Sequence, residues 1–294
     1  MKWLKKAANT AAMTLGGGYP TLLVRRRYKI RFGRDIDFEH PQNFNEKILW
    51  LEKNWQHPLV VQCADKYRLH EYVRSLDLEY IMPKIYGKWD DATEIDWDSL
   101  PNQFVIKCNH GAKWNIICKD KSKLDKTDAA KKLNSWLKMD YGMREFEVHY
   151  SHIKPVIFAE EYIEPNTDKL MPEDYKIYCF NGKPRFLLVC LEREVELELE
   201  WYDFDWNVFD IGAKRNKQKA KRPESLEKMV ELSEKLAEPF PFVRVDFYDR
   251  AGEPILGELT FTPMYGMAKY YSEEGNKRIG DMLELPSMYK GRFR

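Results

Sequence analysis

The hydrophobic positions of the chain change rhythm near residue 100. Before it they recur at helical spacing. Phe44, Ile48, Leu51 and Trp55 lie three or four apart behind Asn43, a residue suited to cap a helix, and Leu69, Tyr72, Val73 and Leu76 form a second such stripe. Beyond residue 100 the apolar residues come in short runs rich in Val, Ile and Phe. FVIK, NIIC and PVIFAEEYI are separated by polar loops and by one helical stretch around Leu133 to Leu137. This pattern predicts an α+β fold with a short helical region at its N-terminal side.

Two hairpins follow. KIYCF and PRFLLV flank Asn181-Gly182, the dipeptide that most readily supplies two positive-φ positions in a tight turn. After a helix beginning near Pro223, with Leu226, Met229 and Leu236 inward, FVRVDFY and PILGELT flank the turn sequence DRAGE. A turn centred on Gly252 sets Asp246 opposite Glu258 and Arg244 opposite Thr260. Strand side chains alternate, so these four share one face while Val243, Val245 and Phe247 take the other. Directly opposed like charges cost about 0.2–1 kcal/mol unless something neutralises them. Mg²⁺ suits the task, because it takes one or two carboxylates and fills its octahedron with phosphate oxygens and water. An ion pair from Arg244 to either acid is the alternative.

Composition sets bounds on this reading. With 294 residues and 44% hydrophobic content the chain can bury a core without staples, and no repeat or low-complexity linker divides it. A net charge of +1 gives no reason to expect nucleic-acid binding. The charge is unevenly placed, however: residues 1–34 hold nine Lys and Arg and no acid. Together with Trp3, Leu4, Leu22 and Leu23 this segment suits an anionic inner-leaflet surface, where each nearby cation contributes about 1 kcal/mol. A solvated basic arm is the alternative. The stretch AANTAAMTLGGG is too polar for a signal sequence or a membrane span, which predicts a cytoplasmic protein, peripheral at most at the inner face of the membrane. The five cysteines include no C-x-x-C pair and sit mostly in apolar runs, as small buried residues do in a reducing compartment. His149 and His152 lack partners at zinc-binding spacing.

RVDF followed by GELTFTP resembles the metal-binding end of ATP-grasp enzymes, an Arg-x-Asp strand followed by Glu-x-Asn-x-x-Pro. The resemblance implies that Asp246 and Glu258 hold Mg²⁺, that Arg244 steadies the transferred phosphoryl group, and that Pro263 is in register. Thr260 stands where the family has its asparagine ligand. Other segments agree in order. Asp65-Lys66 is similar to the family's Asp-Lys near the start of the nucleotide-binding region, and Lys107 in FVIKCNHG to its phosphate-reaching strand lysine. His110 and Gly111 open a loop, HGAKWN, where the family has several glycines over the phosphates. Ala159 to Ile163 resembles the hinge that holds adenine, with Glu160 accepting from the amino group, Glu161 beside it, and Tyr162 and Ile163 flanking the ring. Lys176 in Asp174-Tyr175-Lys176 resembles the cation that faces the γ-phosphate.

FNEKILWLE, DKYRLHEYV, FAEEYIE and DYKIYCFNGKPRF, with the segments above, look like the TupA-like branch, whose genes lie among those for bacterial surface polysaccharide and teichuronopeptide synthesis. That implies two α+β lobes with antiparallel sheets clasping ATP: a basic tail or helix (1–40), a helical region (41–99), lobes at 100–158 and 159–286, and a tail (287–294). It implies an ATP- and Mg²⁺-dependent ligase joining a carboxylate, such as a uronic acid of a surface glycan, to an amine through an acyl phosphate. The basic stretch Lys214 to Arg222 then suits an acidic acceptor, or is a solvated loop. Two other classes compete. Asp203-Phe204-Asp205 has the D-x-D form of glycosyltransferases, and the altered glycine loop with Thr260 would also suit a non-catalytic nucleotide-binding scaffold.

Overall fold

The computed structural model describes residues 19–165, 173–191, 198–214, 216–289 and 291. Lys2, Trp3, Leu4, Lys5, Lys6 and Arg215 therefore lie outside the described residues.

Four helices come first, α1 (Thr21–Phe32), α2 (Phe44–Asn54), α3 (Pro58–Ala64) and α4 (Leu69–Ser75). Asn43 caps α2 as its side chain predicts, accepting from the Glu46 amide. A four-stranded antiparallel sheet follows, built from β1 (Ile85–Trp89), β2 (Phe104–Cys108), β3 (Asn115–Cys118) and β4 (Ile157–Glu160) in the order β1-β4-β2-β3. Helices α5 (Lys126–Leu137) and α6 (Tyr141–Glu145) lie between β3 and β4. The second sheet contains β5 (Asp174–Phe180), β6 (Lys183–Leu191), β7 (Glu198–Tyr202), β8 (Phe242–Arg250) and β9 (Glu253–Thr260), with β5 and β8 adjacent at its centre. Helix α7 (Leu226–Ala237) precedes β8, and α8 (Glu273–Asp281) comes near the end. Two features differ from the sequence reading. β1 comes from the 41–99 segment read as helical, and β4 runs across the 158/159 position read as the lobe boundary.

Each sheet has one apolar face covered by helix and one face carrying charge. In the first sheet Phe104, Ile106, Cys108 and Ala159 pack with Leu133 of α5, while Lys107, Phe158 and Glu160 lie on the reverse. In the second, Ile177, Val243, Val245, Phe247 and Leu259 pack against Leu226, Met229 and Leu236 of α7. Its reverse face is divided. Phe44 of α2 meets Tyr178, Phe180 and Phe242 at 6.1, 5.8 and 5.0 Å between ring centres, so α2 covers the aromatic end of that face. Lys176, Arg244, Asp246 and Glu258 occupy the remainder.

The basic segment is partly a docked helix rather than a free arm. Val24 and Tyr28 of α1 are buried, Arg27 pairs with Glu145 at 3.1 Å, Arg31 donates to the Met267 carbonyl, and Arg34 reaches Glu46. The long arginine stems carry charge across the apolar surface to those acceptors. Among the described residues no helix is long and apolar enough to cross a membrane.

Candidate active site

The hairpin of β8 and β9 turns more tightly than its sequence predicts. Arg250 pairs with Glu253, leaving only Ala251 (φ 52°) and Gly252 (φ 83°) in the loop. Continued regularly, that register would set Asp246 opposite Gly257 and send Glu258 to the apolar face with Val245. A β-bulge intervenes: Phe247 pairs with Leu256, and the next pair is Asp246 with Glu258. Gly257 is the extra residue. Asp246 and Glu258 thus face each other, as do Arg244 and Thr260, and the expected pairs arise from a shorter turn plus a bulge. A Cβ on Gly257 would stand 3.2 Å from the Tyr248 ring and 3.3 Å from the Asp246 carbonyl oxygen, so a larger residue is crowded there.

Asp246 is the most engaged group of the face. Arg244 donates from Nε and Nη2 to its two oxygens, both at 2.7 Å, and Lys176 directly across β5 contacts it as well. Lys176 also pairs with Asp174 at 2.8 Å. All four are buried. Burial pulls the pKa values of Lys176 and Arg244 down, but the Asp246 charge outweighs it and both end above their ordinary values. Arg244 donates further to the Thr260 hydroxyl at 3.1 Å.

Glu258 is the open member of the pair, with 36% of its side chain exposed. Lys66 lies 3.6 Å from it and Arg244 4.0 Å. Burial would raise its pKa, yet Lys66, Lys176, Arg244 and Lys107 together lower it to about 2. These cations come from the α3–α4 corner, from the second sheet and, in Lys107, from the first, so both sheets act on one carboxylate. Among the described residues no three His, Cys, Asp or Glu side chains gather into a metal site. Two carboxylates and the Thr260 hydroxyl are nevertheless an oxygen-only set of the kind Mg²⁺ takes when phosphate and water supply the rest, so the residues fit that ion.

The remaining sequence-derived candidates divide. Asp65 fixes the corner that presents Lys66, its side chain accepting from the Tyr67 and Arg68 amides at 2.9 and 3.0 Å. Lys107 forms an ion pair with Glu160 on the inward face of the first sheet. Glu161 receives Arg250 at 2.9 Å, which ties the segment after β4 to the tip of the β8–β9 hairpin. Ile163 is buried, and the Tyr162 ring lies beneath Lys119, 5.5 Å from its ammonium. His110 is buried and its pKa lowered mainly by that burial. Its ring meets Trp114 at 4.9 Å, Trp114 meets Tyr141 at 5.4 Å, and a Cβ on Gly111 would stand 2.7 Å from the Trp114 ring. Aromatic packing therefore holds this loop where the family has flexible glycines.

Sequence reasoning missed two groups. Asp174 holds Lys176, and its signal was present, because residues 174 and 176 must share a strand face. The other is a buried network in which Glu52 meets His149 Nδ1 at 3.0 Å and Glu147 receives the Thr262 hydroxyl. Burial pushes Glu147 up to about 7. His149 is thereby a core group. The D-x-D sequence is a turn: Asp203 accepts from the Asn207 amide at 2.8 Å and its side-chain amide at 3.1 Å. In the basic stretch, Lys217 and Lys219 pair with Glu198, and Arg222 with Glu227.

Two antiparallel sheets, with charged faces whose cations converge on a carboxylate pair, define an ATP-grasp protein. The TupA-like ATPgrasp family model matches residues 46–284, and the chain belongs to that family. No curated protein matches it. Among solved structures it is similar to D-alanine–D-alanine ligase from Bacillus anthracis, at 16% identity and TM-score 0.47 over 80% of this chain and 65% of that one. The D-alanine–D-alanine ligase from Helicobacter pylori gives 15% and 0.43 over 83% and 70%. The ATP-grasp ligase PsnB complexed with minimal precursor gives 12% and 0.42 over 78% and 61%. The chain thus spans less than two thirds of the first of these proteins.

Proposed function

We propose that the protein is an ATP- and Mg²⁺-dependent carboxylate–amine ligase acting through an acyl phosphate. The observation that carries this is Glu258, a half-open carboxylate held ionised by cations from both sheets, directly opposite Asp246. Asp246, Glu258 and Thr260 would hold Mg²⁺, which supplies positive charge to the phosphate oxygens when bound. ATP lies between the charged faces, with Glu160, Glu161, Tyr162 and Ile163 at the adenine end and His110 and Gly111 at the phosphates. Lys66 and Lys107 exchange their carboxylate partners for phosphate oxygens. Lys176 and Arg244, locked by Asp174 and Asp246, are preorganised donors and give up no rotamer freedom on binding.

An oxygen of the substrate carboxylate attacks the γ-phosphorus, the bond to the β–γ bridging oxygen breaks, and ADP leaves with that electron pair. The amine nitrogen then attacks the acyl carbon, inorganic phosphate departs, and the amine loses a proton as the amide forms. Arg244 faces the charge that develops in both steps. The TupA-like assignment favours a uronic acid of a bacterial surface polysaccharide or its precursor as the acid, and an amino acid or amino sugar as the amine. Incubating the protein with ATP and Mg²⁺ against uronic acids, their oligomers and an amino-acid panel tests this. A carboxylate- and amine-dependent release of ADP with a new adduct in the mass spectrum is expected. Nucleotide binding without turnover on any pair would favour a non-catalytic scaffold, and sugar transfer from a nucleotide sugar without ATP would favour a transferase.

A further inference from the structure

Helix α1 precedes the segment the family model matches, and its two faces do different things. The inner face is fixed to the body by Val24, Tyr28, Arg27 and Arg31. The outer stripe reads Leu22, Arg26, Lys29, Ile30, positions that fall on one side of a helix. Leu22 is 71% exposed and Ile30 77%, among the most exposed large apolar side chains of the described residues. Arg26 and Lys29 are exposed between them and form no ion pair among the described residues.

We infer that this outer face is a docking surface for an anionic lipid bilayer. Charge decides the occupant. Arg25, Arg27 and Arg34 are answered by Asp35, Glu145 and Glu46, so the outward charge of α1 is that of Arg26 and Lys29, and a surface that meets this face gains most if it is itself negative and extended. Two isolated branched side chains set among cations bury little against a folded partner, whereas they insert readily at the headgroup boundary while the cations stay at the phosphates. Because Arg27 and Arg31 tie α1 to Glu145 and the Met267 carbonyl, contact on the outer face orients the body at the membrane.

The test uses the full chain and vesicles of phosphatidylcholine with or without phosphatidylglycerol, read by cosedimentation. Binding is expected with the anionic vesicles and not with the neutral ones, and should weaken as salt is raised. Leu22→Glu with Ile30→Glu should reduce binding roughly tenfold or more, as should Arg26→Glu with Lys29→Glu. All four side chains are exposed, so the variants should melt at the wild-type temperature and release ADP at the wild-type rate in solution. Wild-type binding by both double variants would overturn the inference. So would a concentration-dependent dimer in sedimentation that the Leu22→Glu, Ile30→Glu variant abolishes, since a second copy would then cover the face.

Discussion

Asp246 and Glu258 stand opposite each other only because Gly257 is bulged out of the ladder between β8 and β9. Replacing Gly257 by Val, whose Cβ would stand 3.2 Å from the Tyr248 ring and 3.3 Å from the Asp246 carbonyl oxygen in the bulge, should favour the regular pairing of residue 257 with Asp246, turn Glu258 toward Val245 and the α7 side, and bring Leu259 to the charged face. ADP formation should be lost and the denaturant midpoint lowered, because a carboxylate would enter an apolar layer. Full activity in Gly257→Val would show that the bulge does not set the position of Glu258.

Lys176 is held by Asp174 at 2.8 Å and by Asp246, all three buried. Replacing it by Met leaves two buried carboxylates with one fewer cation, a change that typically costs about 3–5 kcal/mol. Chemical denaturation of Lys176→Met measures this, and a loss below about 1 kcal/mol would indicate that Arg244 alone neutralises the cluster.

Glu147 gives the protein a pH signature. Burial raises its folded pKa to about 7 from an ordinary value of 4.5, so between those values the folded state keeps a proton that the unfolded state has released. Stability should therefore fall as pH rises from about 4.5 to 7, by up to about 3 kcal/mol, and then level off with respect to this group. His149, raised by Glu52 against its own burial, acts in the same direction at higher pH. Glu147→Gln should flatten the slope of denaturation free energy against pH in that window. An unchanged slope would place the titration elsewhere.

The phosphate-side loop is packed rather than glycine-rich. Gly111→Ala would put a methyl 2.7 Å from the Trp114 ring and displace it from Tyr141 and His110. Nucleotide affinity by calorimetry should fall about tenfold, while Trp114→Phe, which keeps an aromatic ring, should lose less.

What the sequence made legible was local chemistry with a fixed geometric consequence. Asn181-Gly182 forms its two-residue turn at φ 48° and 76°, Asn43 caps α2, and alternation puts Val243, Val245 and Phe247 on the face opposite Arg244 and Asp246. The register of the carboxylate pair was read correctly through two compensating differences, a turn one residue shorter and a bulge one residue longer. A glycine inside a strand pattern is the signal for such a bulge, and Gly257 carried it. Long-range pairing was hidden. Glu52 reads as the polar side of α2, yet it is buried against His149, 97 residues away. The Arg27 and Arg31 contacts of α1 were likewise invisible, since their acceptors Glu145 and Met267 are distant in sequence. β1, interrupted by Gly87, is too short and irregular to declare itself.

The most direct test of the carboxylate pair is Mg²⁺-dependent ADP formation by Asp246→Asn and Glu258→Gln, each checked for folding by its thermal transition. Both variants should lose at least about a hundredfold in turnover, with Glu258→Gln the better folded because Glu258 is the more exposed. Wild-type turnover and an unchanged Mg²⁺ requirement in both would contradict the account.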